Sequence, residues 1–204
     1  MICRLAAVAP KRRFGEPRRR KACATTPGFA FRRRAHILPA MASTPAPPID
    51  PSVRIGHVHL KVSDLQRALD FYCGVLGFQL MQRFGPQAAF VSAGGYHHHI
   101  GLNTWESRGG LPPAPGTTGL YHVAILYPTR ALLGDALRRL QRAGIELDGA
   151  ADHGVSEALY LHDPDHNGVE LYWDRPQAQW PRSPDGGVAM YTHPLDLDDL
   201  LSAQ

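Results

Sequence analysis

The spacing of hydrophobic and polar positions switches from a period of two to a helical period and back. "VRIGHVHLKV" at 53 to 62 alternates and is rich in β-branched residues, which is typical of a half-buried strand. "SDLQRALDFYCGVLG" follows with apolar residues at helical spacing, with Ser63 or Asp64 as cap and Gly77 as stop. Three strand candidates separated by Gly and Pro signals come next: "FQLMQRF", "AAFVSA" and "HHHIGLNTW". This order predicts a βαβββ module over 53 to 105.

The same order begins again after a Gly- and Pro-rich stretch at 106 to 119. The strand candidate "LYHVAILY" precedes the predicted helix "TRALLGDALRRLQRAG", with Thr129 as cap and Gly144 as stop. Three more strand candidates follow: "IELDGA", "EALYLH" and "GVELYWD". His57 and His122 are 65 residues apart, close to the 67 that separate the two helix-ending glycines. We therefore predict an α+β fold with tandem modules at 53–105 and 119–175. Residues 176–204 are a predicted surface tail with a short helix near its end.

Charge is distributed unevenly along the chain. Residues 1 to 40 hold eleven Lys and Arg against one acid, Glu16, which leaves 11 basic and 17 acidic residues, a net of −6, in the remainder. A mildly acidic body disfavours a groove for nucleic acid. The basic head has no apolar run long enough for secretion or a membrane span, and Cys73 is the lone cysteine after position 40, so we expect a cytoplasmic protein without a membrane partner.

Residues 1 to 52 are basic and then Pro-rich, a composition that predicts a disordered N-terminal extension. Two alternatives remain for the basic part. The Arg-rich, acid-poor composition suits an organellar import signal, although it lacks an amphipathic period. The favoured alternative is that translation begins at Met41.

Three side chains form a candidate metal site. His57 and His122 hold equivalent places in the two modules, and Glu170 lies in an otherwise apolar strand, where a lone carboxylate is costly unless it is paired or bound to a metal. Two imidazoles and one carboxylate match the facial triad of non-haem Fe(II) oxygenases; Mn(II), Ni(II) and Zn(II) also suit such ligands. A strand histidine is more often a packing residue, but the repeated placement favours ligands. His59 leaves the same face as His57 and is a candidate cavity residue.

Three strings carry a family resemblance: "GHVHLKVSDLQRALDFYCGVLGF", "LYHVAI" and "DPDHNGVELYWD". They resemble motifs of the vicinal oxygen chelate superfamily, which includes glyoxalases, bleomycin resistance proteins and extradiol dioxygenases, over about 53 to 175. The nearest resemblance is to catechol 2,3-dioxygenase-like proteins. It implies a curved mixed sheet around a metal bound by His57, His122 and Glu170.

The resemblance also implies catalytic roles. Tyr160 lies ten residues before Glu170, as does the tyrosine that hydrogen-bonds the catecholate in extradiol enzymes. His153 resembles a histidine just upstream of that tyrosine, with a segment two residues shorter between them. Alignment with extradiol enzymes selects His98 as acid-base catalyst, whereas alignment with the glyoxalase metal position selects His99. Strand alternation makes these two exclusive.

The function implied is extradiol cleavage of a catechol-like aromatic diol by dioxygen on Fe(II). Many enzymes of this type have four modules and this chain has two, so a homodimer is expected by analogy. A glyoxalase-like lyase or isomerase is the enzymatic alternative, although glyoxalases usually present a carboxylate where His99 stands. A resistance protein that sequesters a small molecule is the non-enzymatic alternative.

Overall fold

The first module contains a parallel strand pair at its edge and an antiparallel hairpin beside it. The computed structural model describes residues 47 to 203; the predictions for the basic head and for a start at Met41 lie outside them. The strands are β1 Val58–Lys61, β2 Gln79–Phe84, β3 Ala88–Ser92 and β4 Ile100–Asn103, in the order β1-β4-β3-β2. Helix α1, Leu65–Leu69, continues as a π-helix, Asp70–Val75.

The second module repeats this arrangement and adds one short strand. Its strands are β5 Val123–Leu126, β6 Gly149–Asp152, β7 Ser156–His162, β8 Gly168–Asp174 and β9 His193–Pro194, in the order β5-β8-β7-β6-β9. Helix α2 is Arg130–Arg142, and α3, Leu197–Ser202, is the predicted C-terminal helix. The α+β class is confirmed, with one mixed sheet in each module.

Both main helices begin at predicted caps. The Asp64 carboxylate accepts a hydrogen bond from the Arg67 amide at 2.9 Å, and the Thr129 hydroxyl accepts one from the Leu132 amide at 3.2 Å. These side chains satisfy amides that have no partner within the helix.

Four strands start later than the sequence pattern predicts. β1 begins at Val58 instead of 53 and β5 at Val123 instead of 120, so both modules place a histidine immediately before the strand. β4 begins at Ile100 because Gly94 and Gly95 form a turn with positive φ, which leaves the three histidines 97 to 99 before the strand. β6 spans 149 to 152 instead of 145 to 150, since Ile145 and Leu147 pack on the core outside the strand.

One hydrophobic core serves both modules. The turn between β7 and β8 also joins them: Asp165 accepts from the Ser63 amide at 3.0 Å and from the Arg67 guanidinium at 2.7 Å. In the same turn Asp163 accepts from the buried Tyr72 hydroxyl at 3.1 Å. This turn therefore holds two buried carboxylates that link the modules. Among residues 47–203, no helix is long and apolar enough to cross a membrane.

Candidate metal and catalytic site

Glu170 lies in the middle of β8, between two neighbouring strands. Its cross-strand partners are Ala124 on β5 and Tyr160 on β7. Its chain neighbours Val169 and Leu171 are fully buried in the core. Because side chains alternate along a strand, Glu170 and Tyr160 face away from that core on the same side of the sheet.

His122, which immediately precedes β5, contacts Glu170 on the neighbouring strand β8. Its Nε2 lies 3.0 Å from Oε2 of Glu170, whose side chain is 13% exposed. This close approach requires Gly168, because a Cβ there would lie 2.0 Å from the carbonyl oxygen of Tyr121. An imidazole nitrogen and a carboxylate oxygen held side by side are two adjacent ligands of the type that divalent transition metals prefer.

A hydrogen-bonded chain leads from this pair to His153. The Tyr160 hydroxyl donates to Oε1 of Glu170 at 3.1 Å and lies 2.7 Å from Nε2 of His153. Burial and the neighbouring Glu170 carboxylate raise the pKa of Tyr160 to about 12, so its phenol is protonated at neutral pH. Glu170 uses one oxygen for Tyr160 and the other toward His122, which allows both contacts to coexist.

Three of these side chains, His122, His153 and Tyr160, line a cavity of about 660 Å³. The connection between the modules contributes an apolar wall that includes Pro113, Pro115 and Leu120, and the C-terminal tail adds Thr192. An apolar wall with a few convergent polar groups is the usual form of a small-molecule site.

The histidines of the first module form a separate group. The ring centroid of His98 lies 4.5 Å from that of His57 and 4.9 Å from that of Phe90. Burial and the neighbouring histidines lower the pKa of His98. His99 instead has its Nδ1 at 2.9 Å from the Ser92 hydroxyl. The two candidates for the acid-base role thus have different partners, and His98 is the one that contacts His57.

His59 lies on β1, two residues after His57, which precedes the strand. Its ring lies 5.4 Å from the Trp105 ring and packs over Gly101, where a Cβ would lie 3.0 Å from the imidazole. Burial and the nearby His57 lower its pKa.

The structure brings two of the three predicted metal ligands together. Within residues 47–203 no group of three or more His, Cys, Asp or Glu side chains is close enough to hold a metal ion. β1 and β5 are edge strands of different sheets, so no backbone pairing fixes the position of His57 relative to His122. The pair His122 and Glu170 has suitable donor atoms, and His57 as third ligand stays a prediction.

Sequence reasoning missed two contributors to this site. The sequence shows Gly168 only as a glycine that precedes an apolar strand. It does not show that the backbone at Tyr121, just before β5, packs closely against this glycine. The tail contacts of His153, through Tyr191 and Thr192, join residues 38 and 39 positions apart, and no local pattern indicates them.

A repeated βαβββ module, with one mixed sheet in each copy, is the fold of the vicinal oxygen chelate class. The model of the Glyoxalase/Bleomycin resistance protein/Dioxygenase superfamily matches residues 54–171, and the chain belongs to this superfamily. This confirms the family resemblance described from the three sequence strings.

Two curated relatives are named as dioxygenases. Catechol-2,3-dioxygenase of Bacillus subtilis (strain 168) is 44% identical over 154 residues, covering 75% of this chain and 53% of that protein. Biphenyl-2,3-diol 1,2-dioxygenase 3 of Rhodococcus globerulus is 36% identical over 122 residues, covering 59% of this chain and 63% of that protein. The chain thus spans between half and two thirds of the length of these relatives.

A solved structure supports the fold. It is a glyoxalase/dioxygenase from Nostoc punctiforme that is 19% identical, with a TM-score of 0.53, and the match covers 65% of this chain and 100% of that one.

Proposed function

We propose that this protein is an extradiol dioxygenase that opens the ring of a catechol-like aromatic diol with dioxygen and divalent iron. The observation that carries the proposal is the connected set His122, Glu170, Tyr160 and His153, of which all but Glu170 line one cavity. The dioxygenase names of the two relatives, which print catechol and biphenyl-2,3-diol, support an aromatic diol as substrate.

His122 and Glu170 would hold the metal ion, with His57 as the third ligand. Iron is our first choice, and Mn(II), Ni(II) and Zn(II) suit the same donors. A bound Fe(II) would supply the redox chemistry that joins dioxygen to the diol. Glu170 would offset the positive charge of the ion in a largely buried position, where an unpaired carboxylate is costly.

Tyr160 and His153 would orient the diol and move its proton. As a substrate hydroxyl gives its proton to the Tyr160 oxygen, Tyr160 passes its own proton to Nε2 of His153, 2.7 Å away. His98, beside His57, is the proposed acid-base group at a later protonation, with His99 as the alternative. The wall formed by Pro113, Pro115 and Leu120 would contact the apolar part of the ring.

The test is ring cleavage by the full chain reconstituted with Fe(II) in the absence of oxygen. Catechol, 3-methylcatechol and 2,3-dihydroxybiphenyl are added in turn, oxygen is admitted, and oxygen uptake and yellow product are followed. We expect stoichiometric uptake and product that are lost in Glu170→Gln and His57→Ala and retained in Glu146→Gln, an exposed carboxylate on the surface. Bound metal without oxygen uptake across the panel would contradict the proposal and favour a glyoxalase-like or sequestering function.

A further inference from the structure

The C-terminal tail returns to the second sheet beside His153. β9 pairs with β6 at the edge of the sheet, and the Tyr191 amide donates to the His153 carbonyl at 3.3 Å. The Tyr191 ring lies directly on Gly154, where a Cβ would come within 2.5 Å of it. Gly154 also has a φ of +75°, which favours glycine. The hairpin between β6 and β7 is thus shaped to receive the tail.

Two tail atoms contact the His153 ring. Its Nδ1 lies 3.0 Å from the Tyr191 carbonyl oxygen and 3.2 Å from the Thr192 hydroxyl, while its Nε2 faces Tyr160. A carbonyl oxygen accepts hydrogen bonds and cannot donate, so the proton of a neutral His153 belongs on Nδ1. Nε2 then presents a lone pair to the Tyr160 hydroxyl, whose single proton turns from Oε1 of Glu170 to Nε2. The partner of one imidazole nitrogen sets the state of the other.

We infer that the tail is part of the site, and that the Tyr191 carbonyl and Thr192 are positioning groups that hold His153 with its proton on Nδ1. In this form Nε2 is free to take the Tyr160 proton: the O–H bond of Tyr160 breaks, an N–H bond forms, and no oxidant or reductant is needed. Both contacts lie beyond residue 171, where the family match ends. The catalytic consequence rests on the proposed function, whereas the tautomer does not.

The tautomer is measured directly by nitrogen-15 NMR of the full chain labelled at histidine. The His153 signals are assigned by their loss in His153→Asn. We expect the wild-type ring to carry its proton on Nδ1, and the Nδ1-protonated fraction to fall in Thr192→Val, which keeps the shape of the side chain but removes one of two acceptors. Thr192→Ser keeps the hydroxyl and should retain the wild-type spectrum.

Kinetics of the iron-loaded full chain with catechol give the second readout. Loss of one neutral hydrogen bond should lower kcat of Thr192→Val about fivefold with little change in KM, and Thr192→Ser should restore it. A wild-type His153 protonated on Nε2, or a Thr192→Val protein with wild-type tautomer and kcat, would overturn the inference. Failure of the wild type to cleave any catechol would overturn the proposed function instead, and the NMR experiment would still decide the tautomer.

Discussion

The sheet of the second module has Glu170 and Tyr160 side by side, and the sheet of the first module has Gly101 and Phe90 in the same two places. In the first module β4 pairs in parallel with β1 and antiparallel with β3. In the second module β8 pairs in the same way with β5 and β7, so the registers correspond position by position. One module thus holds a carboxylate and a phenol, and the other holds no ionisable group there. Gly101 leaves room for the His59 ring, which the larger Glu170 side chain in its place would exclude.

The difference shows that one repeated fold can carry chemistry in only one copy. The residue before the first strand is a histidine in both modules, His57 and His122, but only His122 has a carboxylate at the matching place on the neighbouring strand. Function follows the side chains at a few register positions rather than the fold itself. The first module would contribute histidines to a site whose anionic ligand comes from the second.

The largest expected effect comes from replacing Tyr160 by phenylalanine, the residue type at the equivalent position, Phe90, of the first module. Tyr160→Phe removes the hydroxyl that joins Glu170 to His153, so kcat for ring cleavage should fall roughly hundredfold while metal affinity changes little. Steady-state oxygen uptake measures this. Tyr96→Phe, an exposed phenol in the first module, is the control. A Tyr160→Phe enzyme with more than half of the wild-type kcat would contradict the assigned role.

The second prediction concerns the close approach that places His122 beside Glu170. His99 holds the equivalent register position in the first module, so the first module accommodates a side chain at the place where the second module has Gly168. Gly168→Ala should lower the free energy of unfolding by about 2 kcal/mol, because its Cβ would overlap the Tyr121 carbonyl. Urea unfolding measures this. Gly119→Ala, whose Cβ meets nothing within 4 Å, should change stability little; equal effects would refute the packing argument.

The third prediction concerns the link between the modules. Asp165→Asn weakens the contact with Arg67 and the Ser63 amide, so the free energy of unfolding should fall by about 1.5 kcal/mol. The surface pair of Asp135 and Arg138 provides the matched control, since exposed ion pairs contribute little. If Asp135→Asn destabilises the protein as much as Asp165→Asn, the buried carboxylate does not join the modules.

The smallest effect distinguishes the two helix caps. The Arg67 amide, which donates to the Asp64 carboxylate at the start of α1, lowers the pKa of Asp64, whereas the Thr129 hydroxyl does not titrate. The stabilisation by Asp64 is therefore present above about pH 4, the ordinary value of a free Asp, and is lost as the pH falls through the lowered pKa.

Urea unfolding at pH 7 and pH 3 tests this difference. The stability lost in Asp64→Ala should shrink at pH 3, because the pH has then fallen below the ordinary pKa of a free Asp and the stabilisation by the charged cap is being lost. The loss in Thr129→Ala, about 1 kcal/mol, should be similar at both values of pH. A pH-independent loss in Asp64→Ala would refute the charged-cap interpretation.

The predictable part of the fold was the part determined by local pattern. The strands β7 and β8 have alternating or apolar runs that are buried, and both helices have caps and glycine stops, so their bounds were close to prediction. The histidines 97 to 99 were placed in a strand because their neighbours alternate. Their exclusion from β4 results from the preceding glycine turn and from pairing with β1, which a local pattern does not contain.

The site was predictable to the extent that its residues share a hairpin or a repeat position. Tyr160 and Glu170 are ten residues apart across one tight turn, so their adjacency follows from strand register. The meeting of His122 with Glu170 follows from the parallel pairing of β5, the first strand of the module, with β8, its fourth strand. The contact of Thr192 with His153 depends on how the tail packs, and no periodicity determines it.

Metal binding to the full chain tests the central claim most directly. Fe(II) is titrated in the absence of oxygen into the wild type, Glu170→Gln and the surface control Glu146→Gln, and heat is measured. We predict one ion per chain for the wild type and the control, with affinity at least about a hundredfold weaker in Glu170→Gln because the anionic ligand is lost. Undiminished affinity in Glu170→Gln would show that the pair of His122 and Glu170 is not a metal site.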